Sequence, residues 1–104
     1  MVNFIDTKEE FESIIQKEVP TIVIYVKEYC PICKRHVDDM MNKYKLSFHI
    51  FDVDKHKELY KKYKMSMLFP ETRIYKKGEI LFCIGGQLYE SQIVTLRNKL
   101  RGEI

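Results

Sequence analysis

The sequence predicts an α/β fold: a central mixed sheet of four to five strands flanked by about four helices, in one domain over residues 1–104. Three observations carry this. Thr21–Val26 is a β-branched run, apolar on both faces, as a central strand covered from both sides requires. Helical and strand patterns alternate around it, so the first two long strands, joined through a helix, should be parallel. The last two strands, residues 72–75 and 80–84, flank Lys76-Lys77-Gly78-Glu79, a hairpin signal that makes them antiparallel.

The elements follow in order. Asp6 and Thr7 stand ahead of Glu9 and Glu10, a helix start with capping-box spacing, and Phe11, Ile14 and Ile15 supply its apolar face. Val19 before Pro20 ends this helix, since a residue preceding proline avoids the helical region. A short strand over residues 2–5 would make the fifth of the sheet. Beyond Val26 comes Cys30-Pro31-Ile32-Cys33, then a second helix with Cys33, Val37, Met40, Met41 and Tyr44 on one side. Residues 46–53 read as a strand and 55–63 as a short helix with Leu59 and Tyr63 one turn apart. Residues 65–69 read as a loop leading to Pro70. Gly85-Gly86 breaks the last strand, and Ile93, Leu96 and Leu100 mark a C-terminal helix.

Hydrophobic residues make up 45% and charged residues 32%, the balance of a soluble globular chain. A net charge of +3 is too small and dispersed for a nucleic-acid partner. Lys61, Lys62 and Lys64 alternate with Tyr60 and Tyr63, which reads as a solvated helix face with the tyrosines turned inward rather than a single-strand-binding surface. Residues 1–10 show no basic segment leading into an apolar run, and residues 22–26 are far too short to span a bilayer. A cytoplasmic protein with no membrane partner is expected, and a monomer. Three cysteines, an odd number, are no disulfide framework. In a reducing compartment a close pair points to catalysis or metal.

The pair sits where a strand meets a helix. Proline is favoured at the first helical position, which makes Cys30 the N-cap and Cys33 the third helical residue. A Cys30 thiolate would face unpaired backbone N–H groups and the positive helix end, which lower a thiol pKa. Residues i and i+3 approach on a helix, so Cys33 can attack a mixed disulfide at Cys30. Zinc would need two more ligands from Cys83, His36, His49 and His56, and no second closely spaced pair exists, so no metal is expected. No cofactor is expected beyond the Cys30–Cys33 disulfide itself. Cys83, in an apolar strand, reads as a buried inert thiol. Glu28 reads as a solvated loop residue, and His36, beside Lys34 and Arg35, as an exposed helix residue.

With these residues in place, the chain resembles the thioredoxin family over nearly its whole length. The leading helix fits, as do Asp52-Val53-Asp54, Pro70 before the strand into Tyr75-Lys76-Lys77-Gly78-Glu79, and Gly85 before the last helix. The resemblance implies a thioredoxin fold and a cis bond between Phe69 and Pro70, lying beside the cysteines, where the backbone before proline aligns substrate. Phe69 is bulky there and would narrow access. The site departs from the family's usual pattern. There is no tryptophan, and Lys27-Glu28-Tyr29-Cys30-Pro31-Ile32-Cys33 looks more like a glutaredoxin site. Gly85-Gly86 is similar to the glycine pair that receives the glutathione carboxylate there. Lys27 would stabilise the Cys30 thiolate or such a carboxylate; the alternative is a plain surface lysine. Tyr29 would shape the substrate groove or simply pack. Ile24 stands where thioredoxins bury an aspartate, which leaves the proton acceptor for Cys33 open between Glu28 and His36.

Three functions follow. One is a reductase of protein disulfides working through Cys30 and Cys33, recharged by a thiol or a flavoprotein reductant. The second is a glutaredoxin-type enzyme using glutathione or another small thiol. The third is a binding or metal-carrying domain that keeps the fold.

Overall fold

A computed structural model describes residues 1–63 and 68–102 of the chain. It contains five strands: β1 (Val2–Phe4), β2 (Thr21–Val26), β3 (Phe48–Asp52), β4 (Glu71–Lys76) and β5 (Glu79–Gly85). Its helices are α1 (Lys8–Ile15), α2 (Pro31–Asp38), α3 (Lys57–Tyr63) and α4 (Glu90–Leu100). The strands form one sheet in the order β1-β3-β2-β4-β5. β3 is parallel to both β1 and β2, while β4 is antiparallel to both β2 and β5. The expected mixed sheet is present, and the short strand near the start is its fifth member.

The alternation of β2 sorts its side chains between two cores. Ile22 and Ile24 point to one face, packed with Met40 of the second helical segment and Ile93 and Leu96 of α4. Val23 and Tyr25 point to the other, packed with Phe11, Ile14 and Ile15 of α1, and with Leu59, Tyr60 and Tyr63 of α3. All five residues from Thr21 to Tyr25 are buried, as a doubly covered strand demands. The tyrosines of α3 do turn inward, with the Tyr63 ring edge-on to Phe11 at 5.0 Å, and Lys61 and Lys62 stay exposed. Lys64 and most of the loop read over residues 65–69 lie outside the described residues.

Several boundaries differ from the sequence reading. α1 ends at Ile15, four residues before Val19, because the chain turns at Gln16 well ahead of the proline. Its start is as read: the Glu10 N–H donates to Thr7 Oγ1 and the Glu10 carboxylate accepts from the Asp6 N–H. The second helix does not keep one period to Tyr44. Residues Asp39–Lys43 form a π turn, in which the Tyr44 N–H reaches the Asp39 carbonyl, and Met41 is left at the surface. The hairpin loop is two residues rather than four. Lys76 pairs with Glu79, and Lys77 and Gly78 both take positive φ, the backbone a tight strand reversal requires.

Central strands rarely carry charge, yet β4 buries Glu71 and Arg73 completely. Arg73 Nε donates to Glu71 Oε2 at 2.9 Å, and its Nη1 reaches the Tyr75 hydroxyl at 2.7 Å and the Tyr63 carbonyl. Its guanidinium carbon lies 4.4 Å from the Tyr25 ring centroid, and the Tyr25 and Tyr75 hydroxyls are bonded to each other at 2.6 Å. Such a pair is weakly stabilising as a unit but costly to break, because the orphaned charge stays buried. Arg73→Leu is therefore expected to lose about 3–5 kcal/mol of stability. Replacing Glu71 as well, with Leu at both positions, should recover most of that loss. Urea unfolding at pH 7 checks this; a double variant as unstable as the single one would contradict it.

Candidate active site

The site is assembled where β2 ends and β4 begins. Pro31 opens α2, and Cys30 is its N-cap in an extended conformation. The Cys33 N–H donates to Cys30 Sγ at 3.2 Å, so the sulfur accepts one of the helix's unpaired donors. Cys30 and Cys33 are joined as a disulfide with their Cα atoms 5.2 Å apart. Cys30 is half-buried, whereas Cys33 is buried. The outer sulfur is thus the one an incoming group reaches first. The helix end also favours negative charge on that sulfur once the disulfide is opened.

The antiparallel register of β2 with β4 pairs Tyr25 with Glu71. That brings the loop before Cys30 next to Phe69 and Pro70, whose peptide bond is cis. Pro70 is buried, and its carbonyl accepts the Gly86 N–H at 2.6 Å. Gly85 ends β5 opposite Glu71. Ile32, Phe69, Gly85 and Gly86 line one hollow, so the dipeptide between the cysteines and the glycine pair share a surface. Gly86 has φ +90°, which a side chain adopts only with strain.

The other expected site residues are placed as follows. Lys27 Nζ lies 5.6 Å from the Phe69 ring centroid, over its face. Tyr29 does not pack into the body: it is 94% exposed and has φ +55°. The Glu28 side chain is exposed, and its backbone N–H donates to Asp54 Oδ2 at 2.7 Å, which ties the loop ahead of Cys30 to the end of β3. Cys83 is half-buried on β5 across from Arg73, and burial pushes its thiol pKa up. Among the described residues no three His, Cys, Asp or Glu side chains converge.

His36 corrects the sequence reading. It is 2% exposed, not a surface residue, and its Nε2 is hydrogen-bonded to Thr72 Oγ1 at 2.9 Å. Its neighbours Lys34 and Arg35 are exposed, but His36 falls three residues after Cys33 and four before Met40, on the stripe that faces the sheet. That spacing was the available signal. Thr72 pairs with Ile24, and Ile24 with Ile50 on its other side. The layer around Ile24 is therefore apolar on β2 and β3, and the titratable group facing it comes from α2.

A cysteine pair capping a helix, beside a cis-proline turn on a mixed five-stranded sheet, defines a dithiol–disulfide protein with the thioredoxin fold. The chain belongs to the thioredoxin family: that family's model matches residues 2–99. It is similar to oxidised thioredoxin from Plasmodium falciparum at 27% identity, with 95% of this chain and 97% of that one covered and a TM-score of 0.72. Thioredoxin f2 from Chlamydomonas reinhardtii shares the fold at 14% identity, covering 95% of each chain with a TM-score of 0.77. Thioredoxin from Malassezia sympodialis does so at 14%, covering 95% and 90% with a TM-score of 0.76. No curated protein sequence matches the chain. Family and cysteine pair together make it a thiol–disulfide oxidoreductase in general terms.

Burial lowers the His36 pKa to about 4, against a smaller opposing effect from Asp39, so the ring is neutral at pH 7. The unfolded chain takes up this proton near pH 6.5 and the folded one only near pH 4. Stability is then full above pH 6.5 and falls toward pH 4, by up to about 3 kcal/mol from this group. Urea midpoints at pH 7.5, 5.5 and 4.5 should show the decline, and His36→Leu should flatten it. An unchanged slope in that variant would remove His36 as its source.

Proposed function

We propose that the protein reduces disulfides in other proteins by dithiol exchange. What supports this best is the unequal burial of the two cysteines at a helix start: Cys30 half-buried as the N-cap, Cys33 buried one turn on. Cys30 Sγ, as thiolate, attacks one sulfur of the substrate disulfide. A mixed disulfide forms, and the other substrate sulfur leaves as a thiolate that takes up a proton. Cys33 then attacks Cys30 Sγ, its proton passing to the second substrate sulfur, which departs as a thiol and leaves Cys30–Cys33 oxidised. Two electrons have passed from this chain to the substrate, and a thiol or flavoprotein donor must return them. The dithiol is its own redox group, so no cofactor is needed in this half of the cycle.

The neighbouring residues serve this reaction. The backbone before cis Pro70 aligns the substrate chain, and Phe69 with Gly85 bounds the groove it lies in. Pro31 starts the helix, Ile32 forms the wall between the sulfurs and the groove, and Lys27 and Tyr29 edge the approach to Cys30. The glutaredoxin-like Lys27 and Gly85-Gly86 make glutathione the first small thiol to try as donor.

Cys30→Ser should abolish reduction of insulin disulfides, with loss on the order of 10³-fold or more, because the attacking thiolate is gone. Cys33→Ser should instead accumulate covalent substrate adducts, seen as higher-mass bands that thiol reductants dissolve. Full insulin reduction by Cys30→Ser would overturn the proposal. Recharging by glutathione alone, without a flavoprotein, would assign the donor to the small-thiol class.

A further inference from the structure

The groove of Ile32, Phe69 and Gly85 lies on the β4–β5 half of the sheet. A second hollow of about 640 Å³ lies on the other side of the α2 start, toward β3 and β1. Phe4, Val26, Tyr29, Val37 and Ile50 wall it, and both Cys30 and Cys33 border it. It is therefore continuous with the reacting sulfurs. Two aromatic rings stand at its rim in water, Phe4 at 63% and Tyr29 at 94% exposure. Tyr29 is held there by a left-handed backbone that a bulky residue adopts at a cost.

The charges at this hollow are of one sign. Among the described residues, Lys27 and Lys34 are its only charged lining residues, with no acid beside them. The Lys27 ammonium is already engaged over the Phe69 ring. Lys34 forms no ion pair among the described residues. We propose that this hollow is a second substrate subsite, which receives a large apolar side chain flanked by a carboxylate, from the substrate segment next to the attacked cysteine. The apolar walls remove the side chain from water, and Lys34 meets the carboxylate. A small anion would leave the walls unused, and a purely apolar ligand would leave Lys34 without a partner. A second copy of this chain fits poorly, since a two-fold interface through this patch opposes it to itself and offers Lys34 lysines but no acid from the lining.

This subsite rests on the protein-disulfide reading above, and the experiment separates the two. Three substrates are compared under one reducing system: bis(2-hydroxyethyl) disulfide, and two disulfide peptides alike except that Phe-Glu or Ala-Lys precedes the cysteine. Wild type should favour the Phe-Glu peptide in kcat/KM by about tenfold, the factor expected from partial burial of one aromatic ring. Phe4→Ser should remove most of that preference. Lys34→Glu should lower it by about two- to fivefold, as an exposed ion pair allows. Both side chains are at the surface, so both variants should fold and should turn over the hydroxyethyl disulfide like wild type. Equal rates for the two peptides, or a preference unchanged in both variants, would overturn the subsite alone. A Phe4-dependent dimer in sedimentation, with no peptide preference, would also overturn it and assign the patch to self-association. No turnover by wild type of the hydroxyethyl disulfide or of either peptide would bring down the reductase reading and the subsite with it.

Discussion

The antiparallel pairing of β4 with β2, inside a sheet whose other half is parallel, is the constraint on which the site depends. Two parallel neighbours would start at the same end. Because β4 runs against β2, the end of one strand meets the beginning of the other, with Tyr25 opposite Glu71. The loop that carries Cys30 is thereby set beside Phe69 and Pro70, some forty residues later in the chain. The β4–β5 hairpin then returns Gly85 to the same end, opposite Glu71. Three segments distant in sequence converge there without any of them needing a long excursion.

The two faces of the sheet handle polarity differently. Beneath α1 and α3, β4 carries a buried ion pair, Glu71 with Arg73, whose arginine also donates to the Tyr75 hydroxyl, itself bonded to the Tyr25 hydroxyl. Beneath α2 and α4, the layer of Ile22, Ile24, Ile50 and Ile74 is apolar except for the His36–Thr72 bond. A single hydrogen bond in such a layer contributes little net stability, but it has only one good geometry. It links the helix that bears the cysteines to the strand that follows cis Pro70. The two halves of the site are thus joined through one buried hydrogen bond.

Apolar side chains stand on both sides of the α2 start. Phe4 and Tyr29 stand on one side, Ile32, Leu68 and Phe69 on the other, and all but Phe69 are strongly exposed. Clustered exposed rings beside a reactive group are the pattern of a surface that meets other polypeptides. Lysines rather than acids edge it on the β3 side. The cysteine pair supplies the chemistry, while these surroundings bear on which disulfides come close enough to use it.

Much of the fold was legible from order and pattern. β2 matches the predicted strand residue for residue, because continuous burial on both faces is written in one β-branched run. The N-cap role of Cys30 was readable too, since a proline at the first helical position is a local preference. Where α1 stopped was not readable: the proline at residue 20 bars a helix beyond it but does not require one up to it. The charged neighbours of His36 suggest an exposed face, but the spacing from Cys33 to Met40 places it inward. Glu71 and Arg73 could not have been read as buried, because their partners Tyr25, Tyr63 and Tyr75 come from three different elements. What the sequence determined by itself is the dithiol at a helix start and the strand beneath it, both products of contacts within a turn or a strand. Which surface lies against that dithiol was decided by the tertiary structure, because strand pairing joins residues that no local pattern connects.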